Sequence, residues 1–132
     1  MILADTSAWI EYHRGTGSPV HRRLRTAIQT GEALATTGIV VFEVLAGARD
    51  ERHARDLRRL LARCRFLKLD EPFDEEFAAA LFRACRRSGR TLRAGPDCLI
   101  AAIAIRTSAS VLHRDADFDV LAEHSALVVE PA

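Results

Sequence analysis

Four carboxylates interrupt apolar sequence in places where chemistry is often built: Asp5, Glu43, Asp97 and Asp115. Asp5 ends the run Met1-Ile2-Leu3-Ala4, and Asp115 follows Ser110-Val111-Leu112-His113 after one arginine. Asp97 stands directly before the apolar stretch Cys98 to Ile105, and Glu43 divides Ile39-Val40-Val41-Phe42 from Val44-Leu45-Ala46. Each has an ordinary explanation when taken alone. Asp5 can cap a helix, Asp97 can answer a helix macrodipole, and Glu43 can point to solvent or pair with Arg49. As a set they are costlier, because like charges gathered in one cleft force protons onto one another unless a cation neutralises them. Oxygen ligands without imidazole or thiolate select magnesium or manganese. Such a site orients water and steadies the charge on a phosphodiester under attack.

The elements between the acids must bring them together. Met1 to Ala4 reads as a buried strand, followed by a helix in which Thr6 and Ser7 are cap-forming residues and which Gly15 stops. Ser18, Pro19 and Gly31 bracket an amphipathic helix. Ala33 to Thr37 is a second strand, Ile39 to Ala48 a helix containing Glu43, and Asp50 to Cys64 a charged helix with Leu57, Leu60 and Leu61 inward. Phe66 to Leu69 reads as a third strand and Asp74 to Ser88 as a helix. Arg86, Arg87, Arg90 and Arg93 then crowd a glycine-containing loop before Pro96-Asp97, where a basic loop could hold phosphate or simply be wet. Ser110 to His113 is a fourth strand, Val120 to His124 a short helix, and Leu127 to Val129 a last strand. Strands alternating with helices imply an α/β fold with a mostly parallel sheet of about five strands, its right-handed crossovers placing strand ends on one edge. Asp5 and Asp115 then end strands at that edge, while Asp97 and Glu43 ride on helices beside it, so one cleft can collect all four.

Composition narrows the class. At 132 residues the chain, residues 1–132, reads as a single domain with room for a core, and 48% hydrophobic residues is ordinary for a soluble protein. The run Cys98 to Ile105 is too short to cross a bilayer, and an acid at position 5 without a basic leader argues against a signal peptide, so the expected location is the cytoplasm. Cys64, Cys85 and Cys98 are scattered in apolar contexts and read as reduced core residues. Trp9 and Tyr12 could serve a contact surface or, as aromatics more often do, the core. A net charge of +1 gives no global pull on a polyanion.

Four ordered motifs, DTSAWI with Arg14-Gly15, Glu43 with Leu45 and Gly47, Asp97-Cys-Leu-Ile-Ala-Ala, and His113-Arg-Asp-Ala-Asp-Phe, together resemble a PIN domain, and more narrowly the VapC-type ribonuclease toxins. The resemblance covers essentially the whole chain. It implies a three-layer α/β/α sandwich and endoribonuclease activity dependent on Mg2+ or Mn2+, with RNA as substrate. It also implies a cognate VapB-like antitoxin and a homodimer. Carried over by motif position, Asp5, Glu43, Asp97 and Asp115 are the acidic quartet, with Asp117 an additional acid. Asp5, Asp97 and Asp115 would ligate metal, and Thr6 and Ser7 would be supporting hydroxyls. His113 stands where such proteins often carry threonine; Asp119 falls outside the motif and, like Asp74, is expected to be dispensable for activity. A receiver domain or a haloacid-dehalogenase-type phosphatase also gathers aspartates at strand ends, but each needs a lysine after a late strand, and the sole lysine is Lys68. The alternative is a catalytically silent PIN-like module that binds RNA or protein; such a scaffold has no need to retain every acid, and none is missing.

Overall fold

The computed structural model describes residues 1–132 and shows five parallel strands and seven helices. In chain order these are β1 (Ile2–Ala4), α1 (Thr6–Arg14), α2 (Pro19–Thr30), β2 (Leu34–Thr36), α3 (Gly38–Ala46), α4 (Glu51–Ala62), β3 (Arg65–Phe66), α5 (Phe73–Arg87), α6 (Gly95–Thr107), β4 (Ser110–Leu112), α7 (Ala116–Glu123) and β5 (Val128–Val129). The strand order is β3-β2-β1-β4-β5, with Ile2 paired to both Leu34 and Ser110, and Leu3 to both Ala35 and Val111. The apolar run at the start of the chain is therefore the central strand, buried throughout, as its lack of polar alternation requires. Because every pairing is parallel, all five strands end at one edge.

Helices cover the sheet in two packed groups: α1 against α2 and α3, with α3 on α4, and α5 against α6, with α7 on both. This is the three-layer α/β/α arrangement. Helix α6 buries Cys98 and an unbroken Ile100–Ala104 stretch, which explains why its sequence is apolar nearly all round. The strand order reverses about β1, which has β2 on one side and β4 on the other, so the crevice beyond the ends of β1 and β4 is the topological switch point where open α/β sheets place ligands.

Several boundaries differ from the sequence-based expectation, each for a local reason. Helix α1 starts at Thr6 because Asp5, not Thr6 or Ser7, is its cap, accepting the Ser7 amide. Helix α7 starts at Ala116, four residues early, because Asp115 caps it by accepting the Asp117 amide. Strand β3 ends at Phe66 because side chains take over the following carbonyls: Thr37 Oγ1 donates to Leu67 O at 2.7 Å and Arg106 Nη2 to Lys68 O at 2.8 Å. Arg86 and Arg87 are not in a loop but in the last turn of α5, where the helix dipole favours cations. Asp74, expected to be dispensable for activity, has a structural place: it is fully buried and gripped by Arg106 through Nε and Nη2, both at 2.9 Å. Cys85 and Cys98 are buried and Cys64 half-buried, all as free thiols, with burial pushing Cys64 up to about 11 and Cys98 up to about 12. Trp9 is in the core, with Tyr12 packed against it edge-on. No helix is long and apolar enough to cross a membrane.

Candidate active site

The chain gathers its acids at the C-terminal edge of β1 and β4. Asp5 is buried one residue past β1, and its Oδ2 accepts both the Ser7 amide at 3.0 Å and the Ser7 hydroxyl at 2.6 Å. Ser7 Oγ in turn accepts the Arg114 amide at 2.9 Å, so one hydroxyl ties the end of β1 to the turn after β4. A further clamp comes from Arg114, whose guanidinium meets Glu11 on α1 at 2.6 Å.

Asp97, Asp115 and Asp117 form the tight group: one carboxylate oxygen from each lies within 4.8 Å of the others. Asp97 sits in the first turn of α6 and is buried, and its Oδ2 has no hydrogen-bond partner. Burial first, then the charges of Asp5, Asp115 and Asp117, push its carboxyl up to about 8. Burial likewise raises Asp5, against the opposing bonds from Ser7 and with a smaller push from Asp115. Asp115 goes the other way: burial would raise it, but the Asp117 amide and the Arg93 guanidinium outweigh that and hold it below the usual carboxylate range.

Asp117 faces both the cluster and the preceding loop. Its Oδ2 accepts the amides of Arg93 at 2.9 Å and Ala94 at 3.2 Å. Arg93 then returns its side chain to the acids, Nη2 donating to Asp115 Oδ1 at 3.0 Å and Nε lying 3.9 Å from Asp117 Oδ1. Glu43 stands apart from the tight group. It is solvent-exposed on α3, one of the two ordinary readings of its position, and its side-chain partner is not Arg49 but Thr6, whose Oγ1 donates to Glu43 Oε1 at 2.9 Å. The apolar residues beside it in sequence do not bury it, since Phe42 is itself 72% exposed.

Thus Asp97 and Asp115 come together with Asp117, Asp5 adjoins them with one oxygen committed to Ser7, and Glu43 is linked through Thr6. Two further groups were named from the sequence without a defined role. Arg93 was one of several arginines in the basic loop, and it is singled out by its amide, which donates to Asp117, and its guanidinium, which donates to Asp115. His113 is nearly buried; its Nδ1 accepts the Asp115 amide at 3.0 Å, while Nε2 lies 3.3 Å from Asp119 Oδ1. A divalent cation fits the donors present: three carboxylates converge, they are all oxygen, and one buried oxygen is left with nothing to bind.

Residues 2–124 match the PIN domain family. Ribonuclease VapC11 from Mycobacterium tuberculosis is 46% identical over 123 residues, covering 92% of each chain. Among solved structures, VapBC2 from Rickettsia felis, bound to a DNA fragment from its promoter, superposes with a TM-score of 0.75 at 17% identity over 98% of both chains, a likeness of fold. FitAcB from Neisseria gonorrhoeae superposes with a TM-score of 0.73 at 26% identity, over 99% of this chain and 97% of that one. The chain belongs to the PIN domain family, among its VapC-type ribonucleases.

Proposed function

We propose that the protein is the toxin of a VapBC-like pair, cutting RNA at the acidic edge of the sheet with Mg2+ or Mn2+. The observation that carries the reading is the unpartnered, buried Asp97 Oδ2 among the carboxylates of Asp115 and Asp117. A bare oxygen in that setting costs free energy unless a cation meets it. Asp97 and Asp115 would hold the ion, with Asp5 and the free side of Asp117 completing the acidic wall. When bound, the cation supplies Lewis acidity that steadies charge on a phosphate and activates water.

The remaining work falls to the chain itself. Ser7 aims Asp5 by bonding its Oδ2, and joins it to the Asp115 turn through the Arg114 amide. Thr6 holds Glu43 at the open side of the site, where an exposed carboxylate can accept a proton from water. Helix α6 and the packed core beneath Asp97 exclude water from the floor of the site, which strengthens every charge interaction there.

A VapB-like antitoxin is the partner this reading requires, since a toxic nuclease must be held in check, and the fold neighbours include toxin–antitoxin complexes. A groove of about 500 Å³ beside Glu43, floored by Trp9, Val44 and Leu57 and flanked by Arg14 and Arg49, offers apolar and cationic surface for it. A homodimer and a cytoplasmic location complete the proposal, in keeping with the family. Expression without an antitoxin tests it: growth arrest with RNA cleavage is expected from the native chain and not from Asp97→Asn. Unaffected growth with intact RNA would defeat the toxin reading.

A further inference from the structure

Arg93 is the only basic side chain paired with the clustered acids. Its neighbours in the region are engaged elsewhere, Arg90 with Glu123 and Arg114 with Glu11. Its backbone is fixed: Leu92 is buried in the core, and the amides of Arg93 and Ala94 both bond to Asp117. Its side chain is not, being 75% exposed and touching Asp115 through one nitrogen. Three carboxylates answered by one guanidinium remain underneutralised, and a divalent cation entering the cluster would compete with Arg93 for Asp115 and repel it. A guanidinium released there, on a pinned backbone beside the reacting phosphate, has a planar set of donors matched to phosphate oxygens.

Resting on the nuclease reading above, we propose that Arg93 is a movable cation of the active site. It holds Asp115 while the metal is absent and, once a divalent ion takes that carboxylate, grips a backbone phosphate of the bound RNA.

The test compares the wild type with Arg93→Gln and Arg93→Lys by two readouts. The first uses Mg2+ alone, following thermal stabilisation without RNA. Removing the competing charge in Arg93→Gln should lower the half-saturating Mg2+ concentration about threefold, the scale of an exposed ion pair, whereas Arg93→Lys should stay near wild type. The second uses a short single-stranded RNA that the wild type cleaves. KM should rise about tenfold in Arg93→Gln, the salt dependence of log KM should flatten by about one unit, and Arg93→Lys should recover only part of the affinity because it lacks the planar fork. An unchanged Mg2+ midpoint in Arg93→Gln overturns the placeholder role, and an unchanged KM and salt slope overturn the phosphate role. A wild type that neither responds to Mg2+ nor cuts RNA removes the nuclease reading itself, a result distinct from wild-type function with indifferent Arg93 variants.

Discussion

Thr6 Oγ1 donates to Glu43 Oε1 at 2.9 Å, joining the first turn of α1 to the middle of α3 across 37 positions of sequence. Thr6 immediately follows Asp5, so this bond links the exposed acid to the buried one by a single residue of backbone. Thr6→Val, which keeps the shape and removes the donor, should lower kcat about tenfold, the equivalent of one hydrogen bond at about 1.4 kcal/mol. Thr6→Ser should retain most activity. Full activity in the valine variant would show that Glu43 needs no such tether.

Asp97 makes the metal-free protein sensitive to pH in an unusual direction. Its folded-state carboxyl is pushed up to about 8 by burial and by Asp5, Asp115 and Asp117, so the folded state holds a proton that the unfolded chain releases near pH 4. Stability should therefore fall as pH rises from about 4 to 8, at no more than about 1.4 kcal/mol per unit from this group. Urea unfolding of the metal-free protein across that range should show the decline. Asp97→Asn should remove this part of the slope and be at least as stable as wild type without metal. A less stable metal-free variant would make Asp97 a structural residue.

Magnesium should reverse that penalty in the wild type. For a dissociation constant of roughly 1 mM, about 10 mM Mg2+ adds on the order of 1.4 kcal/mol, a few degrees in melting temperature. Differential scanning calorimetry should find this rise in the wild type and little of it in Asp97→Asn. Equal rises in both would place the ion elsewhere.

Asp74 and Arg106 should matter for stability and not for chemistry. Burial alone would raise the Asp74 carboxyl, but Arg106 and the Asp70 amide outweigh it and hold it below its ordinary value. The stabilisation is thus present above about pH 4 and lost as pH falls through the depressed folded-state value. Asp74→Ala, which leaves Arg106 unpaired between α5 and α6, should cost about 3 kcal/mol in urea unfolding at pH 7. Asp119→Asn, at an exposed position, should change stability by less than about 0.5 kcal/mol. A loss below 1 kcal/mol for Asp74→Ala would mean that water replaces the pair.

The order of strands and helices was legible because its signals are local: an unbroken apolar Ile2–Ala4, Ser18-Pro19 before a helix with Gly31 after it, and acids directly at strand and helix ends. That Asp5, Asp97 and Asp115 lie at one edge followed from parallel topology. What stayed hidden depends on contacts between distant segments. Helical spacing cannot say that Asp74 meets Arg106, since that pair exists only once α5 packs on α6. Nor can it reveal that Ser7 occupies one oxygen of Asp5, or that Asp117 holds the Arg93 loop by its backbone. Glu43 was open to either reading from its apolar neighbours, and only the packing of α3 turns it and Phe42 to solvent.

The acids at the ends of β1 and β4 are proposed to form a metal-dependent ribonuclease site. Purified protein incubated with total cellular RNA tests it most directly, with Mg2+ or Mn2+, with chelator, and with Asp97→Asn in place of the wild type. Cleavage by the wild type only when metal is present, and loss of nearly all of it in Asp97→Asn, is the expected result. Cleavage that persists in chelator, or an Asp97→Asn variant as active as the native chain, would rule out a metal-dependent site at these acids.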